Sequence, residues 1–289
     1  MIQHSTWVHL RIPFSFFLMP VFFFAAAAMP EVVFGWEYLG VFFILHLFVY
    51  PASNAYNSYY DKDEGSIGGV ENPPPVSDEL WWVSLCFDAL GLLWAFFISP
   101  LFCFLVLVYG LASKAYSHPA VRIKKYAWGG AAFVVFFQGF FTFLMVWVGL
   151  KGESPLSELP MVVLYGAILS SLMLLGSYPM TQVYQHEEDA QRGDYTLSLW
   201  LGIRGTFLYT GVVFGAVTGL FVLYFYTYFS LYWAVSFVLA LSPVLLFFFY
   251  WFYRVWYNAK EANFRNTMRL NLFSAICLNL FFNALCWFQ

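Results

Sequence analysis

Nine runs of mostly apolar residues dominate the chain, each near the roughly 20 residues that an α-helix needs to cross the hydrocarbon core of a bilayer. They cover residues 13–34, 39–60, 80–98, 100–116, 129–150, 160–184, 206–229, 231–256 and 270–288. Composition agrees: 62% of residues are hydrophobic and only 10% charged, against roughly 25% charged in soluble domains. The expected fold is all-α, an integral membrane bundle of about nine transmembrane helices forming a single domain over residues 1–289. Ala25 to Ala28 mimic a signal-peptidase site, but the run continues through Val32, Val33 and Phe34, which favours a retained first helix. Pro51 predicts a kink in the second run.

Basic residues gather on the cytoplasmic side of membrane proteins, and this tests the count. Nine crossings put Arg11, Lys62, Lys114, Arg122, Lys124, Lys125, Arg192, Arg204, Arg254, Lys260, Arg265 and Arg269 on one face and only Lys151 on the other. A multi-pass protein is expected, with the N-terminus and three polar loops cytoplasmic and the C-terminus outside. The net charge of −3 says little about partners, but with no basic tail or nucleic-acid motif no nucleic-acid partner is expected; the bilayer is the expected environment. Cys86, Cys103, Cys277 and Cys286 lie in apolar runs with no CxxC spacing and read as buried small hydrophobes.

Against this apolar background, the end of the second run is costly. Asn54, Asn57, Asp61 and Glu64 recur at helical spacing and share one face, which His46 and Tyr50 extend backwards. Such a stripe should face a protein interior or a water-filled cavity. Asp61, Asp63 and Glu64 begin one polar loop. Glu187, Glu188, Asp189 and Asp194 lie in another, preceded by Gln182 and Gln185. Two acidic clusters on one membrane face suit magnesium, which takes one or two carboxylates together with waters and substrate phosphates. Between them runs a basic loop with Lys114, Tyr116, Ser117, Arg122, Lys124 and Lys125, which supplies countercharge for a phosphate or diphosphate.

Three motifs then carry a resemblance. The run Asn57-Ser58-Tyr59-Tyr60-Asp61-Lys62-Asp63-Glu64-Gly65 resembles the first aspartate-rich motif of the UbiA superfamily of intramembrane prenyltransferases, NDxxDxxxD. Asn57 and Asp61 match it directly, and Asp63 and Glu64 stand in for its last aspartate, at whose place Gly65 lies. The run from Gln185 through Asp189 to Leu197, with Leu201-Gly202 beyond, is similar to the second motif. Asp189 matches, while Gln185 replaces the first aspartate and contributes no charge. Tyr116-Ser117-His118-Pro119, with Arg122 and Lys124, resembles the family's loop between helices 4 and 5.

The resemblance implies a UbiA-like prenyltransferase domain that transfers an isoprenyl group from its diphosphate to a hydrophobic small-molecule acceptor, usually aromatic. It implies a magnesium site from Asn57, Asp61, Asp63, Glu64, Gln185, Glu188 and Asp189. Asp61, Asp189, Arg122 and Lys124 are the expected catalytic groups. Asn54, Asn57, Lys114, Tyr116, Gln182, Gln185 and Arg192 are the expected substrate contacts. Magnesium and these cations would assist ionisation to an allylic cation, which aromatic faces stabilise. Asp88 in the third run is either functional or paired near the interface, and Gln138, Asn271, Asn279 and Asn283 read as interhelical hydrogen bonds. An intramembrane terpene cyclase would share the same ionisation. A secondary transporter would need an internal repeat, and a CDP-alcohol phosphotransferase a DGxxAR-type motif; the chain has no convincing copy of the first and lacks the second.

Overall fold

The computed structural model describes residues 2–29, 34–152 and 159–288; Val32 and Val33 lie outside them. Among the described residues, nine helices are long and apolar enough to cross a membrane. They are α1 (His4–Ala27), α2 (Trp36–Asp61), α3 (Glu79–Ile98), α4 (Pro100–Ser117), α5 (Ala127–Lys151), α6 (Met161–Thr181), α8 (Leu197–Tyr228), α9 (Leu231–Tyr257) and α10 (Phe264–Phe288). A short helix, α7 (His186–Arg192), lies in the loop before α8. The only strand-like pairs among the described residues are two isolated bridges, Ile67 with Val70 and Tyr126 with Tyr195.

Three spans begin earlier than hydropathy suggests. The first turns of α1 hold polar residues that face protein rather than lipid. The Thr6 hydroxyl contacts Ser77 at 2.7 Å and donates to Glu79 at 2.6 Å, and His9 Nε2 lies 2.8 Å from the Pro74 carbonyl. At Arg11 the backbone turns left-handed, with φ 48° and ψ 41°, and continues through a 3-10 stretch, Ile12–Phe17. α8 begins at Leu197 but breaks at Gly202, whose φ of 69° glycine tolerates without a Cβ clash. α10 begins at Phe264, where its polar first turn caps the loop after α9.

The irregularity expected at Pro51 is a π-helical turn, Ile44–Val49, immediately before it. Proline lacks the amide hydrogen and crowds the carbonyl four residues back, and a wider turn accommodates both. A second π-helical stretch, Val135–Phe141, sits in α5 where Ser171 of α6 enters the backbone ladder. Its hydroxyl accepts from Phe140 N at 2.9 Å and donates to Val135 O at 2.8 Å. Gly139 permits this approach: a Cβ there would lie 2.5 Å from Ser171 Cα.

The core is aromatic. Phe24 of α1, fully buried, stacks on Phe282 of α10 at 4.6 Å and meets Phe143 of α5 edge-on at 5.1 Å. α3 lies at the rim and turns Trp82, Phe96 and Phe97 outward, as a lipid-facing helix does. All four cysteines are free, but only Cys286 is buried. Cys86 is exposed on α3, against the sequence expectation, because its run faces outward rather than into the core.

Candidate active site

α2 stops at Asp61 because Lys62 adopts the left-handed conformation, φ 48° and ψ 45°, and its N–H closes the helix on Ser58 O. Helical spacing therefore ends before residue 64. Asp63 turns into the protein with a side chain 8% exposed, while Glu64 is exposed. On the facing loop, Gln185 precedes α7 and its carbonyl accepts from Asp189 N at 2.8 Å. Asp189 is buried, and its Oδ2 accepts from the Thr196 hydroxyl at 3.0 Å.

The two acidic loops are joined directly. Glu188 Oε1 accepts from the amides of Glu64 and Gly65 at 3.3 and 3.4 Å, and Gln185 Nε2 donates to Ser66 O at 3.3 Å. Arg192 pairs with both Asp63 and Glu188. The basic loop closes the third side. Lys124 pairs with Asp61, Arg122 holds Asp194 through two bonds of 2.9 and 2.8 Å, and Tyr195 N donates to Lys125 O at 3.0 Å. These bonds to Asp194 raise the Arg122 guanidinium above its ordinary value. Burial pushes the Asp189 carboxyl up to about 6, helped by the charge of Asp194 and opposed by the Thr196 hydroxyl, Lys124 and Arg192.

These residues surround a polar chamber of about 190 Å³ lined by Asn57, Asp61, Asp63, Lys124, Gln185, Asp189, Arg192 and Asp194. Beside it is an apolar cavity of about 630 Å³ walled by Tyr50, Tyr109, Phe133, Phe137, Phe214, Phe221, Phe237 and Phe248. Arg11, Phe14, Asn57, Tyr116, Tyr178, Thr181 and Asn271 line both and form the throat between them. The Tyr116 and Tyr178 hydroxyls lie 2.7 Å apart there.

Of the expected site residues, Asn54, Asn57, Asp61, Asp63, Tyr116, Lys124, Gln182, Gln185, Asp189 and Arg192 line one or both spaces. Gln182 also has a structural task, since its Oε1 accepts from Ser198 N at 3.3 Å at the start of α8. Four do not line them. Lys114 pairs with Asp88 of α3 and lies over the Tyr56 ring at 5.2 Å, which also supplies the partner of Asp88. Arg122 stands behind, on Asp194; Glu64 points to solvent; Glu188 is engaged by backbone amides.

His46 likewise leaves the stripe. It is buried among Phe22, Phe42 and Tyr50, because the π-helical turn rotates it away from the face that spacing assigned. Asn279 makes the expected interhelical bond, donating to Phe16 O at 3.4 Å, whereas Asn283 bonds within its own helix, to Asn279 O at 2.8 Å, and Gln138 and Asn271 line the cavity. Sequence reasoning missed Arg11, Tyr178 and Tyr184. Arg11 carries the same positive-inside signature as any cytoplasmic basic residue, and the tyrosines sit in an aromatic-rich run.

Among the described residues, no three His, Cys, Asp or Glu side chains already converge as a metal cluster. The donor set nevertheless suits a hard cation. Asp61 Oδ1 is buried without a hydrogen bond and lies 3.7 Å from Arg122, and Asp63 Oδ1 touches Arg192 without hydrogen-bond geometry. Both oxygens keep lone pairs free, and the Asn57 and Gln185 amides add neutral oxygens.

A profile of the UbiA prenyltransferase family matches residues 17–273. The chain belongs to the UbiA prenyltransferase family. With nine apolar spans among the described residues, it is an integral, multi-pass membrane protein. Its fold is similar to the apo structure of a UbiA homologue from Aeropyrum pernix K1, with a TM-score of 0.70 at 17% identity, covering 94% of this chain and 97% of that one. It is also similar to a UbiA homologue from Archaeoglobus fulgidus bound to GPP and Mg2+, with a TM-score of 0.66 at 17% identity over 98% and 99% of the two chains. A structure described for digeranylgeranylglyceryl phosphate synthase in membranes gives a TM-score of 0.59 at 19% identity over 98% and 96%. A search of curated proteins found no match.

Proposed function

We propose that this UbiA-family chain, as one domain over residues 1–289, transfers an isoprenyl group from its diphosphate to a hydrophobic, aromatic or quinone-precursor acceptor. The reaction is magnesium-dependent and takes place inside the membrane. The observation that carries the reading is the joined pair of spaces: a charged chamber sized for a diphosphate head opens through a tyrosine-lined throat into a larger apolar cavity for a chain. Fold likeness to homologues bound to GPP or DMAPP with Mg2+ supports it. The acidic and basic loops face the cytoplasm, as does the N-terminus, and the C-terminus lies outside.

Asp61, Asp63 and Asp189 would hold the cation, with Asn57 and Gln185 as neutral ligands. Glu188, accepting from the Glu64 and Gly65 amides, keeps the two loops together. Magnesium, when bound, neutralises charge on the leaving diphosphate. Lys124 and Arg192, here paired with Asp61 and Asp63, are the cations that would donate to the phosphates. Arg122 keeps Asp194 and the basic loop in place. The allylic C–O bond breaks with its electron pair leaving on the diphosphate, the acceptor carbon forms the new bond, and the acceptor loses a proton. The aromatic walls around the throat stabilise the allylic cation, each desolvated face by about 2 kcal/mol.

Lys124→Met should lower turnover roughly 100-fold or more, as loss of a charged transition-state contact does. Lys114→Met, which removes a group paired outside the chamber, should act on thermal stability while donor affinity stays within about threefold. Parallel measurements of Tm and of donor binding separate the two. A pH effect follows from Asp189. Because its carboxyl is raised to about 6, protons compete with the metal below that value. The magnesium concentration for half-maximal activity should rise toward tenfold per pH unit below about 6 and level off above it, and excess magnesium should move the acid limb to lower pH. A half-saturation constant that is flat across that range would contradict this.

The direct test incubates membranes holding the protein with labelled isoprenyl diphosphates of several lengths and a panel of acceptors, followed by mass spectrometry of the lipid extract. A prenylated acceptor that disappears with a chelator is the expected product. A cyclised hydrocarbon formed without acceptor would instead make the chain a terpene cyclase.

A further inference from the structure

Arg192 stands where the two acidic loops meet, a place that suits a bound ion. Its terminal nitrogens divide between the loops: Nη1 pairs with Asp63, just past α2, and Nη2 pairs with Glu188 of α7. The side chain is 21% exposed and lines the polar chamber. Drawing carboxylates of two loops together is work that a divalent cation between them would do, and here a guanidinium of the chain does it. The planar fork engages two carboxylates at once and keeps its charge at any working pH.

The oxygens that remain decide how many ions the chamber can take. Magnesium asks for one or two carboxylates in addition to waters and substrate phosphates. The first loop supplies them: Asp61, with its side chain 3% exposed, keeps Oδ1 without a hydrogen bond, and Asp63 lines the same space. The second loop is poorer. Glu187 faces solvent, Glu188 is taken up by the Glu64 and Gly65 amides and by Arg192, and Asp194 is held through both oxygens by Arg122. Gln185, one helical turn before Asp189, brings a neutral amide whose Nε2 already donates to Ser66 O. That leaves Asp189, which lines the chamber and feels the charges of Lys124 and Arg192 without pairing to either. One carboxylate and one amide beside a fixed guanidinium make a poor second cation site, because the guanidinium repels a further divalent ion. Added to Asp61 and Asp63, the same carboxylate completes a single site.

We infer that the chamber takes one magnesium per diphosphate and that Arg192 serves in place of a second ion, the neutral side chain at Gln185 and the guanidinium at Arg192 being two halves of one arrangement. The inference rests on the prenyl-transfer reading above.

The test counts ions rather than turnover. Purified full-length protein is titrated with Mn2+, a paramagnetic substitute for magnesium, in the presence of saturating geranyl thiolodiphosphate, an unreactive donor analogue. Electron paramagnetic resonance then gives the bound Mn2+ per chain. The unaltered chain should hold one, and so should Gln185→Asp, in which Arg192 still fills the second place. Arg192→Gln should also hold one but bind the analogue roughly ten- to a hundredfold more weakly, as loss of a charged hydrogen bond does. Gln185→Asp combined with Arg192→Gln should hold two and regain most of that affinity. Two Mn2+ in the unaltered chain or in Gln185→Asp would overturn the inference, and these two counts decide it even if Arg192→Gln does not fold. A folded double variant that holds only one, or analogue affinity in folded Arg192→Gln within about threefold of the unaltered chain, would overturn it as well. An unaltered chain that binds neither the analogue nor Mn2+ would overturn the prenyl-transfer reading itself.

Discussion

Asp61→Asn and Asp189→Asn should each lower magnesium-dependent turnover by more than about 100-fold, beyond the 10- to 100-fold typical of changes around a metal's ligands. The two substitutions preserve shape and remove charge, so they isolate the carboxylate. At Asp189 the amide oxygen can still accept from Thr196, and the fold should survive with Tm nearly unchanged. At Asp61 the partner Lys124, with its side chain 12% exposed, is left without its counterion, and Tm should fall as well. Adding Lys124→Met to Asp61→Asn should recover part of that stability without recovering turnover. Full magnesium-dependent turnover in either single variant would remove the proposed cation site.

Gly139→Val should be the most damaging single change away from the chamber. Its Cβ would fall 2.5 Å from Ser171 Cα and 2.7 Å from Ser171 N, and a backbone cannot step aside as a side-chain tip can. Overpacking costs about 1–3 kcal/mol, and the upper end applies here because α5 and α6 must separate. Separation would also unseat the Ser171 hydroxyl from the π-helical stretch that carries Phe137 and Gln138 to the cavity wall. Gly219→Ala in α8, where nothing lies within 4 Å, is the control and should leave Tm and folded yield unchanged. Equal thermal stability of the two variants would contradict this packing.

What could be read from the sequence was whatever the membrane makes expensive. Asn57, Asp61, Gln185 and Asp189 stand out because polar groups in or beside apolar spans must be placed for a reason, and all four line the chamber. Features without a compositional price stayed hidden. The two π-helical stretches use the same Phe, Val and Leu as the helices around them, so the register shift that removes His46 from the stripe left no trace in composition. Lys114 and Lys124 both look like cytoplasmic basic residues. Only the packing of α3 against α4 reveals that Asp88 captures the first and leaves the second to the chamber. The choice between Asp63 and Glu64 depended on one backbone angle, the left-handed turn at Lys62, which lysine does not advertise.

Transfer chemistry, rather than passage, is the work proposed for the joined chamber and cavity. Purified protein reconstituted in liposomes with magnesium, a labelled isoprenyl diphosphate and an accepted acceptor measures this directly. Inorganic diphosphate should be released in equal amount to prenylated acceptor, and both should stop on chelation of the metal. Accumulation of intact donor or acceptor inside the liposomes, with no diphosphate released, would contradict the account and make the chain a transporter.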